Sequence, residues 1–250
     1  MKNLLLRSIS ALAYIWKLIP LILRKRFFLF FFLLESRNRD PRNGLARLFE
    51  TEDLLTLVIN ERALALGKGE HPKHRLMGYH EFFIANLDGC QRILDIGCGY
   101  GAVAKSIASA YPQARVTGID NNASRLQQAI NSSKLDNLDY CLVDLEDFET
   151  ELTYDAVILS NVLEHLHDRV NMLRLIQRKS RAAKYLIRVP LFERNWTIAM
   201  RKELNVNYFQ DDDHKIEHTL EEFYKEIEES GLNIVTLKII YGEIWSVCAK

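Results

Sequence analysis

At 250 residues, with 48% hydrophobic and 26% charged side chains, the chain has room for one sizeable domain and an extension. That balance excludes a disordered or fibrous protein, and a formal net charge of zero leaves no basic footprint for nucleic acid. The zero hides a division: residues 1–34 hold six basic and no acidic side chains, while the remainder has 27 basic against 33 acidic ones.

The N-terminal stretch reads as a basic, apolar helical extension over residues 1–37. Asn3, Ser10, Lys17 and Arg24 recur every seven residues, with Arg7 beside them, and form one polar stripe on a helix. The other side carries Leu5, Ile9, Leu12, Trp16 and Ile19. Pro20 predicts a kink. Arg24-Lys-Arg26 separates this segment from the apolar run Phe27–Leu34. Neither run reaches the ~18 uncharged residues expected of a spanning helix. A cationic apolar helix suits the plane of a membrane interface; a transmembrane or hairpin segment and an ordinary buried or oligomerising helix are the alternatives. No small-residue cleavage site follows, so a signal peptide is not expected.

Residues 38–90 read as a helical lead-in. Arg37–Gly44, with Pro41 and Gly44, reads as a linker. Leu45–Leu66 has helical periodicity and ends at Gly67. A loop to Pro72 and a helix over about 73–87 follow.

From residue 91 the pattern changes. Ile93 to Ile96 is a short apolar strand, followed by Gly97-Cys-Gly99-Tyr-Gly101 and a helix from about Ala102 to Tyr111. Glycine serves where backbone must turn tightly or approach a ligand. A strand, a glycine turn and a helix N-terminus make a nucleotide-binding corner. The spacing alone also fits a dinucleotide fingerprint, which leaves an NAD-type oxidoreductase as an alternative. Further strands are expected at 115–119, 139–143, 155–160 and 184–189, with helices at about 122–133, 168–181 and 219–230. This alternation predicts a doubly wound α/β fold with a mostly parallel sheet. Leu232–Ile240 and Ile244–Ala249, joined at Tyr241-Gly242, predict a closing antiparallel hairpin.

Asp95-Ile-Gly-Cys-Gly-Tyr-Gly101 resembles the first motif of the class I S-adenosylmethionine-dependent methyltransferases. The resemblance continues through Asp120, Asp144 and Asn161-Val-Leu-Glu-His165, and covers roughly Ile93 to the C-terminus. It implies a seven-stranded sheet and an S-adenosylmethionine-binding domain over 91–250. Asp95, Gly97, Cys98, Gly99, Gly101, Asp120, Asn121, Asp144, Leu145 and Asn161 would then bind the cofactor. Asp120, about twenty residues beyond the glycine turn, can accept hydrogen bonds from both ribose hydroxyls; the plainer reading is a helix N-cap. In the family the Asp144 position binds the adenine amino group. The segment 73–87 commonly lies over the cofactor, which makes Arg75 and Tyr79 candidate contacts.

His165 is the candidate general base, since its ordinary pKa lies near neutrality; the plainer reading is a structural histidine. His214 and His218, four apart beside Asp211 and Asp213, would share a helix face as metal ligands, but the stretch reads as readily as a solvated loop and no metal is expected. Leu191–Thr219 mixes aromatics with charge and lacks periodicity; the resemblance implies a cap over the acceptor pocket, and plain packing of a loop over the sheet suits the same residues equally. The four cysteines show no metal or redox spacing and read as reduced thiols of a cytoplasmic protein. The expected activity is methyl transfer to an oxygen or nitrogen of a small or lipid-linked acceptor, at the cytoplasmic face of a membrane if residues 1–34 make peripheral contact. A catalytically inactive, membrane-anchored binding protein is a further alternative.

Overall fold

The computed structural model describes residues 12–68 and 71–250, and these divide into two compact units. One holds the chain up to Arg62 with Arg201–Asn207; the other holds Ala63–Met200 with Tyr208–Lys250.

In the first unit, residues 12–18 are helical and α1 spans Leu21–Ser36. Pro20 takes the N-cap position of α1 and so separates two helices instead of kinking one. Asn3, Ser10, Arg7, Leu5 and Ile9 lie outside the described residues. No residue of α1 is buried, and Phe27 through Leu34 are all substantially exposed. The helix α2 spans Pro41–Leu66. It starts four residues before the position predicted, because Pro41 fits a first helical position where the missing N–H costs nothing. Only glycine fits at 44: a Cβ there would stand 2.2 Å from the carbonyl oxygen of Ser36. Arg201 binds Glu52 at 3.0 Å, Asp53 at 2.9 Å and the carbonyl of Phe49 at 3.0 Å.

The second unit is built on a seven-stranded sheet: β1 Arg92–Ile96, β2 Arg115–Asp120, β3 Leu138–Leu142, β4 Ala156–Ser160, β5 Lys184–Pro190, β6 Asn233–Ile240 and β7 Glu243–Ala249. The strand order is β3-β2-β1-β4-β5-β7-β6. Six strands point the same way, and β7 runs antiparallel between β5 and β6. Tyr241 and Gly242 both have positive φ, 51° and 74°, as a two-residue hairpin turn requires.

Each face of the sheet carries its own core. On one, Leu94, Ile96, Val157, Leu159, Ile187 and Val189 meet Leu173 and Ile176 of α7 (Arg169–Ser180) and Phe223 and Ile227 of α9 (Leu220–Glu229). On the other, Ile93, Val116, Ile158, Leu186 and Trp245 meet Ile107 and Ala104 of α5 (Ala102–Ala110) and Phe83 of α4 (Tyr79–Ala85). The helix predicted over 73–87 is two helices, because Gly78 at φ 69° ends α3 (Lys73–Met77) before α4 begins. The stretch after β5 contains a 3-10 turn, Phe192–Arg194, and α8, Trp196–Glu203, where no periodicity predicted one. The helix α6, Ala123–Ser132, is capped by Asn122, whose side chain accepts from the Arg125 N–H. Asp120 is not that cap.

Candidate functional site

The chain runs from β1 outward to β3 and then returns to place β4 on the other flank of β1. Such a switch point opens a crevice at the carboxyl ends of the strands, where open α/β sheets bind ligands. The turn from β1 to α5 fills one side of it. Gly97, Gly99 and Gly101 have φ of 65°, 54° and 73°, a region that side chains disfavour. A Cβ on Gly97 would come within 2.8 Å of Val162, and one on Gly101 within 2.1 Å of the Tyr140 hydroxyl. At Gly99 nothing lies within 4 Å, so that glycine faces open space.

The turn is tied to the end of β2. The Gly99 N–H donates to Asp120 Oδ2 at 2.7 Å, and the Asn122 N–H donates to Oδ1 at 2.8 Å. A carboxylate has about four acceptor positions, so Asp120 retains capacity for hydroxyl donors. Cys98 donates its backbone N–H to Ile119 at 3.0 Å. Burial and then the Asp95 and Asp120 charges push its thiol pKa far up, which keeps it a neutral packing group.

Asp95 is 1% exposed, and its Oδ2 has no hydrogen-bond partner. Burial raises its pKa to about 7; the Ala104 N–H opposes this and the Asp120 charge adds to it. Beyond β4, Asn161 sits at φ 57°, a strained setting for asparagine that concentrates at functional sites. Its side-chain Oδ1 is likewise buried and unpaired. Farther along the sheet edge, Asn121 donates to Asp144 at 3.1 Å, which with the Glu146 N–H holds the Asp144 pKa below the usual carboxylate value. Leu145 packs against the core.

These residues gather around the ends of β1, β2 and β4. Arg75 is exposed on α3, and Tyr79 is a packing residue at 3% exposure with Arg188 stacked 3.9 Å from its ring centre. Arg188 is the residue that sequence reasoning missed. It is 4% exposed, forms a two-pronged pair with Glu243 at 2.5 and 2.7 Å, and donates to Ser160 at 3.2 Å. Trp245 donates to the same Glu243 at 3.0 Å. A lone arginine inside the apolar run of β5 was the available signal.

His165 closes the 3-10 turn Leu163–His165. Burial lowers its pKa, opposed by Asp213. Its Nδ1 lies 3.2 Å from Asp213 Oδ1, close enough for ion pairing but out of hydrogen-bond alignment. His214 and His218 do not share a helix face. His214 binds Glu217 at 2.8 Å, whereas His218 binds Glu226 at 3.0 Å.

Residues 93–182 match the family described as methyltransferase domain. Residues 93–182 thus carry a methyltransferase domain. The chain is similar to pavine N-methyltransferase of Thalictrum flavum subsp. glaucum, 36% identical over 85 residues, 33% of this chain and 24% of the relative. It is also similar to malonyl-(acyl-carrier protein) O-methyltransferase of Bacillus anthracis, 31% identical over 83 residues, 33% of this chain and 31% of the relative. The chain thus spans about a quarter to a third of the length of these curated relatives. Solved structures show the same fold. An S-adenosylmethionine-dependent methyltransferase from Mesorhizobium loti aligns with TM-score 0.54 and 13% identity over 69% of this chain and 96% of its own. The methyltransferase SibL aligns with TM-score 0.58 and 18% identity over 74% and 57%. The fold expectation, a mostly parallel seven-stranded sheet with an antiparallel end, holds for the methyltransferase domain.

Proposed function

We propose that the protein transfers the methyl group of S-adenosylmethionine to an oxygen or nitrogen of a small or lipid-linked acceptor. The carrying observation is the glycine turn locked to Asp120, with the unpaired acceptors Asp95 Oδ2 and Asn161 Oδ1 at the adjoining strand ends. That donor and acceptor set fits the cofactor. Backbone N–H groups and a carboxylate suit its ribose, and unpaired anionic or carbonyl oxygens suit its ammonium group. When bound, the cofactor supplies an electrophilic methyl on a sulfonium. Asp120 would hold the ribose hydroxyls, and Asp144 with Asn121 the adenine edge. The displacement is in line, so positioning supplies much of the rate. A proton must leave only if the acceptor arrives protonated; His165 is the side chain offered for that, alone or through a bound cation.

The antiparallel β7 and the methyltransferase relatives support this reading over the NAD-type alternative. S-adenosylhomocysteine should raise the melting temperature and NAD should leave it unchanged, because only a ligand of the folded state stabilises by mass action. Stabilisation by NAD alone would reverse the assignment. An inactive binding protein would bind the cofactor and release no S-adenosylhomocysteine with any acceptor.

Membrane contact belongs to the same proposal. Among the described residues no helix is long and apolar enough to cross a membrane. Yet α1 is apolar on every side and buries nothing, and such a helix needs an apolar partner. Arg24 ends its first turn and Lys25 and Arg26 begin the second, near the end where the helix dipole is already positive. Anionic headgroups would relieve that repulsion, at about 1 kcal/mol per basic residue.

A further inference from the structure

On the loop side of β4, candidate ligand atoms of Glu164, His165 and His214 lie within 4.8 Å of one another. We propose that these three side chains bind one divalent transition-metal ion of the zinc and manganese type.

Three independent features point to a cation. Glu164 is fully buried and neither carboxylate oxygen has a hydrogen-bond partner. A buried carboxyl without donors must take up a proton or a cation. His214 is buried, and its Nδ1 is engaged by the Glu217 carboxylate at 2.8 Å. A carboxylate on one ring nitrogen fixes the tautomer and leaves Nε2 with its lone pair, the arrangement found behind metal-binding histidines. Glu217 is itself held by the Gln210 N–H at 2.7 Å and by Arg194, so it cannot swing away. His165 stands edge-on to His214, with ring centres 4.7 Å apart, which brings both imidazoles beside the Glu164 carboxylate. The Asp213 carboxylate beside His165 Nδ1 supplies further negative charge.

The donor set chooses the ion. Two imidazoles with one carboxylate suit zinc, manganese, iron or cobalt, whereas calcium and magnesium prefer oxygen ligands. Bonds of about 2.1 Å place tetrahedral ligand atoms about 3.4 Å apart, so binding draws the three side chains inward by small rotamer changes. The entering ion would take the place of any proton on the Glu164 carboxyl, whose oxygens have no other partner. His218 takes no part, because Glu226 and Arg169 occupy its surroundings.

Three protein ligands leave a coordination position open. If the methyl-transfer reading holds, an acceptor oxygen would take that position, and this step alone rests on it.

The test uses full-length protein treated with chelator and dialysed against Zn²⁺, Mn²⁺, Co²⁺, Mg²⁺ or Ca²⁺. Elemental analysis should find one zinc, manganese or cobalt per chain, with a raised melting temperature and cobalt absorption bands in the visible. Magnesium and calcium at the same concentration should produce neither. Glu164→Gln and His214→Gln should weaken zinc binding by more than the ~10–100-fold typical of outer-shell partners; His218→Gln should leave it within about threefold of wild type on the same scale. Glu164→Gln should also raise the melting temperature of the metal-free protein, which shows that the variant folds. Failure of every ion to bind stoichiometrically, or equal zinc affinity in folded Glu164→Gln and His214→Gln, would overturn the site. S-adenosylhomocysteine binding is scored separately: its loss with metal binding intact overturns only the methyl-transfer reading.

Discussion

The backbone N–H of Gly99 donates to Asp120 Oδ2 at 2.7 Å, joining the turn after β1 to the end of β2 across 21 residues of sequence. One carboxylate therefore shapes the turn and faces the crevice. Asp120→Ala should weaken S-adenosylhomocysteine binding by roughly 1.5–3 kcal/mol, the range for hydrogen bonds to a charged group. Isothermal titration of both proteins checks this, and equal affinities would take Asp120 out of the site.

Gly101→Ala should cost about 1–3 kcal/mol from backbone strain at φ 73°, and more because the new methyl would meet the Tyr140 hydroxyl. Tyr140→Ala in the same chain should recover part of the loss by removing the obstacle but not the strain. Additive losses in the double variant would show that the contact is not made.

Asp95 gives a pH dependence of known sign. Its folded-state pKa of about 7 stands above the ordinary 3.8, so between these values the folded chain binds the proton more readily than the unfolded one. Stability from this group is therefore lost as pH rises from about 4 to 7 and then levels, by on the order of 4 kcal/mol. Denaturation of wild type and Asp95→Asn across that range should show the difference changing in favour of the variant. A difference flat with pH would mean that Asp95 titrates normally. Glu164, raised to about 8, adds a slope of the same sign, so only the difference is diagnostic.

The Arg188–Glu243 pair should be expensive to break on one side. Arg188→Met leaves a buried unpaired carboxylate and should cost about 3–5 kcal/mol. Arg188→Met with Glu243→Leu should cost much less, since an apolar pair needs no solvation. Chemical denaturation of the single and double variants reads the difference directly; comparable losses would refute the pairing.

The sheet was legible because its signals are local. Apolar runs, glycine turns and the Tyr241-Gly242 hairpin each act over a few residues. The Gly78 break was legible in principle, but helical spacing on both sides of it masked the left-handed cap. The partners of Arg188 and His165 were not legible, since Glu243 lies 55 residues from the arginine and Asp213 reaches His165 only through an aperiodic loop. The crevice residues were readable through a motif. Glu164 was readable as part of that motif, but its lack of donors is a fact of three-dimensional packing.

Of the three tryptophans, Trp196 is 69% exposed and Trp16 37%, whereas Trp245 is 3% exposed and donates its indole N–H to Glu243. Replacing the first two by phenylalanine leaves a chain with one tryptophan, excited selectively over the tyrosines at long wavelength and seated beside the buried ion pair on the antiparallel strand. Its emission would shift to the red as the indole meets water. The stopped-flow trace of that variant therefore times when the C-terminal hairpin joins the sheet during refolding.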